Sequence, residues 1–149
     1  MKFITGKYKN TLTEVCMVLL ILLFVYAASS KLMNYEQSRM QMMKQLLPAG
    51  TAPVLTWLVP VTELLIAVLL FIKRTRLCGF YAAAFLMTVF SVYIAVAMSG
   101  WFGQRPCSCG GVIRYLNYWQ HLVFNLVFVG VGIVGAGVAR GCKNIHLAN

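Results

Sequence analysis

Val54-Leu55-Thr56-Trp57-Leu58-Val59-Pro60-Val61-Thr62-Glu63-Leu64-Leu65-Ile66-Ala67-Val68-Leu69-Leu70-Phe71-Ile72, followed at once by Lys73-Arg74-Thr75-Arg76, decides how this chain is built. The apolar run is long enough, at about 1.5 Å per helical residue, to cross a hydrocarbon core roughly 30 Å thick. A span this short in lipid satisfies its backbone only as a helix, because no water is present to bond a bare N–H or C=O. The basic cluster behind it marks the cytoplasmic end, where positive side chains are retained.

Working outward, apolar segments recur at approximately 12–30, 54–72, 79–99 and 116–139. The expected architecture is therefore all-α, an integral membrane four-helix bundle in a single domain spanning 1–149. Composition agrees: 60% of residues are hydrophobic, 11% are charged, and the mean hydropathy is +0.78. A soluble domain carries about twice that charge. The net charge of +10 would suggest nucleic acid in a soluble protein. Here the basic residues gather at the ends of apolar segments, which points to lipid headgroups and the bilayer as partner and argues against nucleic acid.

Lys2, Lys7 and Lys9, then Lys73, Arg74 and Arg76, then Arg140 and Lys143 fall on one side when four spans alternate. The other side receives 31–53 and 100–115, with five positive residues over about forty positions. Both termini are thus expected inside, on the cytoplasmic side. The opening order of lysines, an apolar run and Ala27-Ala28-Ser29 has the form of a secretory signal, but we expect a retained anchor that serves as the first helix. The same alternation puts Cys16, Cys78 and Cys142 near the reducing side, as small packing residues, and Cys107 and Cys109 outside.

In the first outer loop, Asn34 and Gln37 resemble a capping box, and Met40, Met43 and Leu47 recur at helical spacing before Pro48. A short amphipathic helix is expected there, lying over the mouth of the bundle. Its methionines, with Met33 and Met42, are read as packing or membrane-facing residues rather than copper ligands. Small residues at helical spacing, Ala84, Thr88, Ser91, Ala95 and Ser99 in the third span and Gly132, Gly135, Ala136 and Ala139 in the fourth, are expected to let helices approach closely.

Glu63 is the one acid deep in a span, roughly 15 Å from its outer end, where an ionised carboxylate needs a partner. His121 and Asn125 lie one turn apart on the fourth span, about 8 and 13 Å deep. Asn125 and Glu63 therefore share a level, with His121 between them and the outer loop. An inter-helix hydrogen bond and a proton path or ligand contact are both open readings. Lys31, at the outer end of the first span, is expected to snorkel to the interface more than to serve a site.

Arg105-Pro106-Cys107-Ser108-Cys109-Gly110-Gly111 is where two cysteines come together. A disulfide over one intervening residue closes a small strained ring, and strain eases reduction, which suits exchange better than stapling. Arg105, Arg114 and the N-terminus of the fourth span favour the reactive thiolate. Gly110 and Gly111 leave room for a partner's backbone. Zinc usually takes four ligands and the outer face offers two thiolates, so metal is the weaker reading beside redox or an inert loop.

With these residues in view, the chain resembles the MauE/DoxX-like family of small redox-associated membrane proteins. The likeness rests on Ala28-Ser29-Ser30-Lys31-Leu32, on Pro60-Val61-Thr62-Glu63-Leu64-Leu65, and on Pro106-Cys107-Ser108-Cys109-Gly110-Gly111 with Trp119, His121, Phe124 and Asn125. The resemblance implies periplasmic thiol–disulfide traffic beside a thioredoxin-like partner. The chain is also similar to four-helix quinone-linked reductases of the vitamin K epoxide type, which use Cys-x-x-Cys where this chain has Cys-x-Cys. Quinone is the cofactor that this second likeness raises. The expected function is an inner-membrane thiol–disulfide redox protein, an oxidoreductase if it acts as an enzyme. Cys107 and Cys109 are its dithiol, supported by Arg105, Arg114, His121, Asn125, Glu63 and Lys31. The alternative is a non-catalytic scaffold or accessory subunit of a larger membrane or envelope complex, docking through the Met-rich helix and the cysteine loop. A transporter fits less well, since no inverted repeat is evident.

Overall fold

The structure, a computed structural model, describes residues 2–43, 51–99 and 118–147. Five helices account for them: α1 (Lys2–Met33), α2 (Tyr35–Met43), α3 (Thr51–Phe71), α4 (Arg76–Met98) and α5 (Tyr118–Leu147). Four contain stretches long and apolar enough to cross a membrane, Tyr8–Met33, Pro53–Phe71, Arg76–Val96 and Trp119–Gly141. Among the described residues the fold is thus the expected four-helix bundle. α1 runs well beyond its apolar stretch, with basic residues in the extension. Large apolar side chains such as Leu22, Phe71, Phe85 and Ile133 face outward, as lipid rather than water as solvent allows.

The helices form a closed ring in which α1 packs against α3 and α5, and α4 packs against the same two. The α3–α4 turn ties one end of that ring. Thr75 Oγ1 donates to Leu69 O at 3.0 Å and Arg76 Nε to Leu70 O at 3.2 Å, covering carbonyls that the end of α3 leaves without an intrahelical donor. The Thr75 hydroxyl does not cap α4. Arg76 Nη1 also meets Glu14 Oε1 of α1 at 2.7 Å, so one short turn holds three helices.

The half of the bundle nearest that turn is closely packed. Cys16 and Leu20 of α1, Ile66 and Leu70 of α3, Phe80 and Ala83 of α4 and Ala136 of α5 share one buried cluster. Glycine makes the approaches possible. A Cβ on Gly79 would stand 2.8 Å from Leu70 N, one on Gly132 3.1 Å from Ala84 Cβ, and one on Gly135 2.7 Å from Phe80 Cδ1. The expected stripe on α5 is therefore a real contact. The one on α4 is only partly so: Ser91 is buried, but Thr88, Ala95 and Ser99 are exposed, and the hydroxyls of Thr88 and Ser99 donate locally, to Ala84 O and Val96 O. Cys16 packs in the core as expected, whereas Cys78 is exposed. The side chain of Cys142 lies outside the described residues.

At the other end a short helix does follow α1, but it is not amphipathic. The apolar residues of α2 are not gathered on one face, and Met40 is exposed while Gln37 and Ser38 are half-buried. Local bonds and one aromatic contact hold it instead. Asn34 carries the helical pattern across the junction, its N–H bonding Ser30 O at 3.2 Å and its own C=O accepting from Ser38 N–H at 2.9 Å. Asn34 Nδ2 also donates to Ser30 O, so the residue expected to open α2 closes the last turn of α1 as well. Ser38 Oγ donates to Lys31 O at 3.3 Å. Tyr35 meets Trp57 of α3 with ring centroids 5.6 Å apart, which lays α2 against the start of α3. The expected continuation to Leu47 and Pro48 lies outside the described residues.

Candidate functional site

Lys31 sits on the inward face of α1 that also carries Leu20, Phe24, Ala27 and Ala28, all of them buried. These positions recur at three- and four-residue steps, so they stack along one side of the helix. Glu63 occupies the matching face of α3, which buries Thr56, Pro60, Ile66, Ala67 and Leu70. At that meeting Lys31 Nζ donates to Glu63 Oε1. Lys31 is 9% exposed and Glu63 1%, so the ion pair is out of contact with bulk solvent.

Lys31 therefore does not snorkel, contrary to expectation. Its helix face points into the ring, and a carboxylate waits within reach, which outweighs the pull of the interface. The ammonium also lies 5.8 Å from the ring centroid of Phe90 on α4, where the aromatic face attracts positive charge. A paired charge in low dielectric is tolerated, while removing either partner strands the other.

The pair borders a cavity of about 60 Å³. His121 and Asn125 of α5 line it as well, together with Phe24, Ala27, Phe90, Tyr93 and Phe124. Asn125 is 4% exposed. The second carboxylate oxygen, Glu63 Oε2, is buried with no hydrogen-bond partner among the described residues. All four long helices contribute to the walls, and every lining residue falls within a membrane-crossing stretch.

Thus Lys31, Glu63, His121 and Asn125 come together as one site. Cys107, Cys109, Arg105 and Arg114 lie outside the described residues. The aromatic walls were missed in the sequence. Phe90 and Tyr93 are three residues apart on a span without a buried charge, so nothing there separates cavity lining from ordinary core. On α5 a usable signal existed: Phe124 lies beside His121 and Asn125 at helical spacing.

The fold and this site define a small four-span membrane protein built around a buried lysine–glutamate pair. The chain matches the family model of the methylamine utilisation protein MauE over residues 9–138, and it belongs to that family. The match takes in Lys31, Glu63, His121 and Asn125, and 105–114 besides. It meets the resemblance read from the sequence on its MauE side and is silent on the DoxX-like side. No curated protein and no solved structure matches the chain.

Proposed function

We propose that this protein is an inner-membrane thiol–disulfide redox protein that exchanges electrons with a periplasmic, thioredoxin-like partner through Cys107 and Cys109. Both termini are cytoplasmic in this reading, and the α2 end of the bundle is periplasmic. The observation that carries it is the buried Lys31–Glu63 pair with its cavity. Ionisable residues held inside a span are expensive and mark function by default. The cavity lies in the half of the bundle where α4 ends and α5 begins, and the connection between those two ends carries the cysteine pair. Membership of the MauE family supports the same reading.

The exchange balances without a further reagent. A thiolate of the pair attacks one sulfur of the partner's disulfide, forming a mixed disulfide and releasing a partner thiolate. The second cysteine's thiolate then attacks the mixed disulfide, leaving Cys107–Cys109 oxidised and the partner reduced. Two electrons pass, and the protons lost by the pair are regained by the partner's thiolates. The reverse sequence reduces Cys107–Cys109.

The test is acid-quenched alkylation of Cys107 and Cys109 in intact membranes, read by mass spectrometry, alongside a Cys109→Ser variant. A population that shifts with added oxidant or reductant, and a partner trapped on Cys107 of the variant, are expected. Thiols that stay free under both treatments would overturn the redox reading. Met33 and Met40, exposed at the same end, favour the accessory-subunit reading as its replacement.

A further inference from the structure

We propose that the cavity beside Lys31 and Glu63 binds a neutral molecule of the lipid phase that places one hydroxyl group against Glu63 Oε2, carried on an aromatic ring. The starting point is an imbalance in the pair itself. Lys31 Nζ donates to Oε1, while Oε2 is buried beside the cavity with no donor among the described residues. A buried acceptor left without a donor costs about 1–3 kcal/mol, more when it is charged. A ligand that brings a donor to this atom recovers that cost.

Charge decides which donor. Lys31 and Glu63 already neutralise each other, so an incoming ammonium would add an unbalanced charge where desolvation is most costly. An anion would face Glu63. A purely apolar molecule would leave Oε2 as it stands. A neutral O–H satisfies the atom and adds no charge. The remaining walls bear on the body of the molecule: Phe24, Phe90 and Phe124 line the cavity beside Tyr93, His121 and Asn125, and the edge of an aromatic ring packs well among such side chains.

Size limits how much of it enters. The cavity holds about 60 Å³, well short of the roughly 150 Å³ that encloses a whole benzene ring. It therefore takes the hydroxyl-bearing edge, with the rest of the molecule at the mouth. The inference stands on the cavity alone and holds whether or not Cys107 and Cys109 exchange electrons.

The experiment measures thermal unfolding of the full chain in lipid nanodiscs with 4-butylphenol or its methyl ether, 4-butylanisole. Near saturation the phenol should raise Tm by about 5 °C or more, and the ether, which keeps the ring and the butyl chain but lacks the donor and carries an added methyl group, should leave it unchanged. Ala27→Leu fills the cavity without touching a charge and should abolish the response. The paired substitution Lys31→Met with Glu63→Leu removes the acceptor, keeps side-chain volume and should do the same, so the test survives if either variant fails to fold. Equal shifts with phenol and ether, a phenol shift that persists in the folded variants, or no shift in the native protein, which leaves a site for water only, would each overturn the proposal.

Discussion

The two halves of this bundle solve the same packing problem in opposite ways. Around the α3–α4 turn, glycines at 79, 132 and 135 let helices meet backbone to side chain, and Phe80, Leu20 and Leu70 fill what space remains. Toward α2, the same four helices bury a lysine, a glutamate and an asparagine and leave a cavity. Lipid supplies no hydrophobic drive between helices, so association rests on close contact and polar bonds. One half uses the first and the other uses the second. The polar half keeps an acceptor, Glu63 Oε2, that no donor meets among the described residues.

Breaking the pair should have the largest effect. Lys31→Met alone strands a carboxylate that is 1% exposed, and unfolding in detergent or nanodiscs should show a loss of about 3–5 kcal/mol. Changing both residues, Lys31→Met with Glu63→Leu, should restore stability to near the native value, because buried pairs replaced by apolar residues of similar volume are often neutral. A double variant as unstable as the single one would mean that the polar half depends on more than the pair.

Gly79→Ala probes the other half. Its Cβ would stand 2.8 Å from Leu70 N, a backbone atom with little freedom to move, and we expect a loss of about 1–3 kcal/mol by the same measurement. A neutral result would show that the turn half is looser than its contacts imply. The smallest effect belongs to Gly130→Ala, where nothing among the described residues lies within 4 Å of the added Cβ. Stability there should stay level or rise by no more than about 1 kcal/mol; a clear loss would reveal that this open face of α5 is covered in the native membrane.

Much of this was legible in advance, and for a physical reason. Span length, charge at span ends and the helical requirement of lipid act on the chain one segment at a time, so 54–72 and its neighbours could be read without knowing what they touch. Glu63, His121 and Asn125 stood out because a polar residue deep in a span is rare, and counting rise along each helix put Glu63 and Asn125 at one level with His121 nearer the outer end. The reading failed where local pattern and tertiary setting disagree. Lys31 looked like an interface anchor because it ends a span, yet its helix face turned it inward. Met40 and its neighbours suggested an amphipathic helix, but the Tyr35–Trp57 contact and the Ser38 bond to Lys31 O hold α2 in place without an apolar stripe.

By itself, then, the sequence determined the class of the protein, the number and approximate place of its spans and the polar residues that needed a partner, since each follows from the cost of exposing backbone or charge to lipid. Only the tertiary structure decided that Lys31 is the partner of Glu63, that α5 brings His121 and Asn125 to the same cavity, and that Phe24, Phe90 and Phe124 form its walls. Those pairings depend on how the helices are rotated about their axes and ordered around the ring, and both are set jointly by all four helices rather than by any one of them.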